Sequence, residues 1–382
     1  MQITGAVLEE IGRRRRYGDT VPLSVELLEL DPPGPGEALV EIECAGVCHS
    51  DLSVVDGNRP RPVPMLLGHE AAGRIVELGD DAEGFSVGER VVMTFMPRCG
   101  ECEGCASNGV RPCIPGSAAN AAGTLLSGAR RLHRHGTDIH HHLGASAFAT
   151  RAVVDTRSLV GIGDDVPAEV AALMGCAVLT GGGAVVNAAR PRPGDTLVVV
   201  GLGGVGMAAL LVALAHDDVT VIAVDTSPDK RATARTLGAE HVLSPDEAVD
   251  RGVKARLVVE AAGSVPALGT AVALTGPGGT TVTVGLPAPD ARLEVSPAAL
   301  VGEGRSLVGS YLGSAVPRRD IPRFVDMWRE GRLPVERLVT GRLPLSRINE
   351  AMDVLADGAA LRQIVTMDRS PHPPSTTASR MS

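Results

Sequence analysis

Thr196-Leu197-Val198-Val199-Val200-Gly201-Leu202-Gly203-Gly204-Val205-Gly206 is the stretch that decides the fold. Five β-prone residues run straight into a glycine-rich turn, and an alanine-rich helical pattern begins at once over 206–215. This is the setting in which G-x-G-x-x-G binds a dinucleotide. Gly201 permits the tight turn, Gly203 lets the backbone approach a pyrophosphate, and Gly206 lets the helix sit close to the strand. Gly204 and Val205 open the helix whose free N–H groups and positive dipole end face the phosphates. Asp225 closes the next apolar run about 20 residues further on, where an acid accepts hydrogen bonds from the adenosine ribose. The same acid repels a 2′-phosphate, so NAD is expected in preference to NADP. Lys230 is within reach of that ribose, although an exposed helix lysine is equally read as solvated.

Working outward, apolar runs at 196–200, 219–224, 257–261 and 280–284 alternate with helical patterns at 206–215 and 227–237. Strands separated by helices make βαβ units and a parallel sheet. Before this region the rhythm differs: short apolar runs at 38–42, 73–77 and 90–94 are broken about every eight to fifteen residues by Gly and Pro, which predicts a mostly β, loop-rich domain. After it come amphipathic segments at 322–330 and 345–356 and a strand-like 363–367, expected to return to the first domain. The chain is thus read as α/β, with a catalytic domain over 1–177 and 320–368, a cofactor domain over 178–319, and a mobile tail over 369–382 rich in Pro, Ser and Thr.

The sequence has 382 residues, 44% hydrophobic and 2% aromatic, so Val, Leu, Ala and Gly must fill closely packed layers. A net charge of -9 argues against a nucleic-acid partner. Arg13 to Arg16 read as a solvated turn. No uninterrupted apolar run reaches the length of a membrane span, and acids already appear by Glu9 and Glu10, so a cytoplasmic protein with reduced thiols is expected.

Six of the seven cysteines fall at positions with a metal-ligand reading. Cys99, Cys102, Cys105 and Cys113 form C-x2-C-x2-C-x7-C within a loop rich in Gly. Four thiolates from one short segment can close a tetrahedron around zinc with no open position, which defines a structural site. A second set is scattered: Cys48-His49-Ser50-Asp51, Gly68-His69-Glu70 and Gly175-Cys176. Singly these residues prove little. Together they offer two thiolates, an imidazole and nearby carboxylates, the donor set that leaves a fourth zinc position open.

With these motifs in order, the chain resembles the zinc-containing alcohol dehydrogenases of the medium-chain dehydrogenase/reductase superfamily over nearly its whole length, 2–368. G-V-C-H-S-D from Gly46, G-H-E-A-A-G from Gly68, the four-cysteine loop, G-C-A-V-L-T-G from Gly175 and G-L-G-G-V-G with Asp225 carry the resemblance. It implies a GroES-like mostly-β catalytic domain joined to a Rossmann-like doubly wound parallel-sheet domain, and hydride transfer between NAD and an alcohol or the matching carbonyl compound, with one catalytic and one structural zinc. Cys48, His69 and Cys176 would hold the catalytic zinc, Asp51 would support them, and Glu70 would approach during ligand exchange. Ser50 matches the proton-relay hydroxyl and Thr180 the residue beside the nicotinamide. Arg362 matches a basic residue that reaches the pyrophosphate, and His49 takes a position that often carries arginine for that task.

One departure concerns the relay. Relatives often carry histidine three residues after the relay serine, where Ser53 stands here, so the proton is expected to leave through His49 or water. By the same resemblance Arg59, Phe95, Ala118 and His142 line the substrate pocket; an Arg and a His there suit a polar, carboxylated or thiol-conjugated substrate, and Ala118 suits a bulky one. An oxidiser of formaldehyde joined to a carrier thiol would share every metal and NAD residue. Zinc-free quinone or enoyl reductases would lack Cys48, His69 and Cys176. A non-catalytic zinc- and nucleotide-binding relative would be expected to have lost a ligand of the open site. The segment 305–314 resembles the strand that joins relatives edge to edge, which implies a homodimer and leaves pairing into a tetramer open.

Overall fold

The computed structural model describes residues 1–367; the 369–382 tail expected from composition lies outside the described residues. Among the described residues three sheets organise the chain. One is a small closed barrel of Gln2–Leu8, Leu23–Leu30, Leu132–Arg134, Thr137–His141 and Met65–Leu66. The second runs Leu159–Ile162, Arg90–Met93, Ala71–Leu78, Glu37–Val47, Arg362–Thr366 and Val339–Pro344, with Arg151–Asp155 also paired to Glu37–Val47. The strand expected at 363–367 therefore pairs antiparallel with Glu37–Val47, Gln363 opposite Val47. This fixes the C-terminal strand one residue away from Cys48.

The third sheet is wholly parallel, in the order His241–Leu243, Thr220–Val224, Thr196–Val200, Ala255–Glu260, Thr275–Thr283, Ser306–Gly309. Numbered along the chain this is 3-2-1-4-5-6, the doubly wound order whose ligand crevice opens where the winding reverses. Thr196–Val200 lies at that reversal. Its Leu197, Val198 and Val199 are fully buried on both faces, as a central parallel strand requires.

Residues 168–189 form a 22-residue run of alternating α and π turns, apolar and long enough to cross a membrane by composition alone. Because 83% of its most apolar window is buried inside the protein, its hydrophobic surface is used by the core. Its glycines permit close approach: a Cβ on Gly175 would collide with the Met93 carbonyl, and one on Gly181 with the Val205 carbonyl. The helix thereby touches both the second sheet and the helix Gly204–Leu214 that follows the glycine turn. The segment 305–314 is less regular than expected. Only Ser306–Gly309 is strand, exposed along its length, and the left-handed Leu312 and Gly313 then turn the chain inward. Arg13 to Arg16 are exposed, as expected of a solvated turn.

Candidate active site and zinc centres

Cys48 ends the Glu37–Val47 strand and caps the short helix His49–Val55. Its backbone N–H donates to Asp51 Oδ2 at 3.1 Å, which draws Asp51 back beneath the cysteine. The other oxygen of Asp51 receives His69 Nδ1 at 2.9 Å and the Gly68 N–H at 3.3 Å. A carboxylate on Nδ1 fixes the imidazole tautomer and leaves Nε2 free to bind a metal. That Nε2 lies 3.5 Å from the sulfur of Cys176, brought in by the π turn Met174–Val178. One ligand atom from each of Cys48, His69, Glu70 and Cys176 falls within 4.8 Å of all the others, and all four residues are buried. Three segments far apart in sequence thus meet at one point.

The electrostatics of this cluster suit a cation. Hydrogen bonding from Cys176, with the nearby Arg362 guanidinium, holds the Cys48 thiol well below its ordinary value. Burial pushes the Glu70 carboxyl up to about 7, opposed by Arg362 and reinforced by Cys48. Glu70 Oε2 accepts from Arg362 Nη1 at 3.2 Å, while Oε1 has no partner among the described residues. An orphaned carboxylate oxygen beside two thiols and an imidazole fits a divalent ion with an exchangeable fourth position.

The second cluster is closed. Cys99 and Cys105 sulfurs are 3.8 Å apart and those of Cys102 and Cys113 4.0 Å apart. A tetrahedron with zinc–sulfur bonds of about 2.3 Å has edges of roughly 3.8 Å, whereas a disulfide requires about 2.05 Å. All seven cysteines are free thiols. Backbone N–H groups of Cys99, Gly100, Cys105, Ile114 and Gly116 point at the sulfurs from 3.3 to 3.4 Å; those from Ile114 and Cys105 lower the Cys102 thiol to about 6. The four side chains fit a structural zinc.

At the glycine turn, Gly201 takes φ +90°, and a Cβ on Gly206 would overlap the Gly201 carbonyl oxygen. Space above Gly203 is open, as a bound pyrophosphate would need. A Cβ on Gly204 would strike Arg362 Nε, so Arg362 spans the gap between the buried Glu70 and the start of the phosphate-facing helix. Asp225 receives the Leu202 N–H on Oδ2 at 2.6 Å and the Ser227 N–H on Oδ1 at 2.7 Å. Each oxygen retains a lone pair for a ribose hydroxyl. Val205 lies in the first turn of the helix, Lys230 is half-buried with no side-chain bond among the described residues, and Thr180 is buried where the 168–189 helix crosses it.

A pocket opens against the first cluster, walled by Ser50, Val54, Arg59, Arg61, His69, Phe95, His142, Leu143, Leu286 and Tyr311. A larger cleft of about 610 Å³ lies elsewhere, over the helix Pro317–Arg329, and contains none of the thiols. Ser50 Oγ lies 3.9 Å from the Cys48 sulfur, and Ser53 donates its hydroxyl to the His49 carbonyl at 2.7 Å. His49 itself is exposed. Of the pocket residues expected from sequence, Arg59, Phe95 and His142 are in place. Ala118 is not: the helix Ile114–Ala122 turns Gly116 and Asn120 inward and leaves Ala118 facing solvent. Sequence reading missed Arg61 and Tyr311, and gave no sign that His142 Nδ1 sits 3.3 Å from Asp51.

Comparison with known proteins agrees with this arrangement. Residues 34–167 match the alcohol dehydrogenase GroES-like domain and residues 204–330 the zinc-binding dehydrogenase domain. A putative alcohol dehydrogenase D of Mycobacterium tuberculosis is 36% identical over 96% of this chain and 100% of its own length. Geraniol dehydrogenase of Castellaniella defragrans is 35% identical over 94% of this chain and 96% of its own. Among solved structures, benzyl alcohol dehydrogenase from Acinetobacter calcoaceticus superposes with a TM-score of 0.87 at 29% identity, covering 96% of this chain and 99% of that one. The chain belongs to the zinc-type alcohol dehydrogenase family of the medium-chain dehydrogenase/reductases.

Proposed function

We propose that the protein is an NAD-linked alcohol dehydrogenase that depends on a zinc held by Cys48, His69 and Cys176. The observation that carries this reading is the convergence of those three ligands with Glu70 at one buried point, whose His69 also lines a pocket that presents Ser50. Bound there, zinc would act as a Lewis acid toward the substrate oxygen and lower its pKa. Bound across the glycine turn, NAD would accept the hydride.

The protein's own groups do the positioning. Two thiolates balance the charge of a divalent ion, and Asp51 holds the His69 ring in the ligating tautomer. Ser50 offers a hydroxyl that can take the substrate proton. Since Ser53 is bonded to the backbone, exposed His49 or water takes the proton onward to solvent. Asp225 selects a free ribose and so NAD over NADP; Lys230 flanks the same ribose, Thr180 backs the nicotinamide, and Arg362 with the helix N-terminus neutralises the pyrophosphate. The exposed edge of Ser306–Gly309 is the surface through which two copies would join their sheets. Metal analysis with a cofactor-paired alcohol panel tests the reading: two zincs per chain and NADH formation are expected, while one zinc and no turnover would refute it.

A further inference from the structure

The pocket wall carries four nitrogen-bearing side chains, Arg59, Arg61, His69 and His142, and not one carboxylate. The two imidazoles lean on the buried Asp51 carboxylate, so in a chain of net charge -9 the positive charge on this wall comes from the two arginines. Most of its other arginines are neutralised nearby: Arg90 by Glu43, Arg131 by Glu37, Arg157 by Asp155, Arg342 by Glu169. Arg59 and Arg61 are not. Among the described residues, Arg59 bonds only the Leu286 carbonyl at 3.1 Å and Arg61 only the Asn120 carbonyl at 3.3 Å. A guanidinium has five N–H donors, so most of each fork is left facing the pocket or solvent.

Both arginines are half-buried, whereas His69 at the inner end is fully buried. They therefore lie toward the solvent side of the pocket, with His69 at its inner end. Burial, and the charge of Arg61, disfavour the Arg59 cation, the state that an arriving anion relieves. Between mouth and inner end the wall is aromatic. Phe95 stands edge-on to His69 at 5.6 Å and to Tyr311 at 6.0 Å, a slot suited to a planar group.

Resting on the alcohol dehydrogenase reading above, we infer that the preferred substrate is an alcohol bearing a carboxylate at the end remote from its hydroxyl, gripped by Arg59 and Arg61. A planar guanidinium matches a carboxylate in bidentate fashion, which a neutral alcohol cannot exploit. The carboxylate can belong to the alcohol itself or to a carrier thiol to which formaldehyde has added, since that adduct is also a primary alcohol. Either way the overall change is the same: alcohol and NAD give the carbonyl compound, or the formyl thioester, with NADH and one proton released.

The test compares 4-(hydroxymethyl)benzoate with benzyl alcohol, which share ring and carbinol and differ in the anion. In the zinc-loaded wild-type enzyme kcat/KM for the anion should exceed that for benzyl alcohol at least tenfold, about 1.4 kcal/mol. Arg59→Leu and Arg61→Leu should each cut that ratio severalfold, while Arg59→Lys and Arg61→Lys keep more of it. Calorimetric titration of both alcohols into the holoenzyme without NAD reads the same preference with no turnover. Charge-dependent binding without oxidation would uphold the anion site and sink the dehydrogenase reading. Equal binding and equal turnover of the two alcohols would overturn the inference. A third arm, formaldehyde with 3-mercaptopropionate, assigns the anion to a carrier thiol if it alone is oxidised, and to the alcohol if 4-(hydroxymethyl)benzoate alone is.

Discussion

Arg362 Nη1 lies 3.2 Å from Glu70 Oε2, and both side chains are buried. Removing one partner leaves the other charge stranded, which typically costs about 3 to 5 kcal/mol. Arg362→Met should therefore lower unfolding stability by that order in urea titrations, and Glu70→Gln by less, because the amide still accepts a bond from Arg362. Equal, small losses would show that water already reaches the pair.

His133 in the barrel sits between Asp31 at 2.8 Å and Asp138 at 3.0 Å, and these bonds raise its pKa. A raised folded-state pKa binds protons that the unfolded chain releases, so the stabilisation is complete below about 6.5 and fades as pH rises through the folded value. Unfolding free energy should decline across that window by about 1 kcal/mol or less. His133→Gln should flatten the decline; an unchanged slope would assign it to other groups.

If the four cysteines hold a zinc, the loop would contribute folding energy only with that metal in place. Cys102→Ser should lose about one zinc per chain by atomic absorption and lower Tm. Thiol titration of the native wild type should find few reactive cysteines, rising to seven after denaturation with chelator. A variant that keeps both metals would remove the structural assignment.

Asp225→Ala should weaken NAD by roughly tenfold or more in KM and narrow the gap to NADP, because the ribose acceptor and the repulsion of a 2′-phosphate vanish together. Gly206→Ala should abolish cofactor binding by a different route, since its Cβ would overlap the Gly201 carbonyl. Fluorescence titration with NADH separates the two: a graded loss for the first, near-complete loss for the second.

The parts legible in sequence are those written in consecutive residues. Gly201 to Gly206 between a strand and a helix, and Cys99 to Cys113 in one loop, each carry enough local chemistry to be read alone. Cys48, His69 and Cys176 gained meaning from their combination, yet spacing alone could not bring them together. That depends on the Gly175 contact with the second sheet and on π turns that no periodicity announces. Arg61, Tyr311 and the His142–Asp51 contact were illegible because each depends on chain segments far from its own. Ala118 was misplaced for a smaller reason. Two residues of rotation on a helix is just over half a turn, which carries a side chain from wall to solvent.

The Arg362–Thr366 strand supplies the guanidinium that neutralises Glu70, and it is the last strand described. During synthesis every candidate zinc ligand leaves the ribosome well before it. Until that strand pairs beside Cys48, a nascent chain would hold its sulfurs and acid without their counter-charge and without the clamp on the phosphate-facing helix. Competence at the reaction centre therefore waits on a strand made after all of its candidate metal ligands, and a chain stopped short of it would lack the guanidinium that links the metal pocket to the phosphate-facing helix.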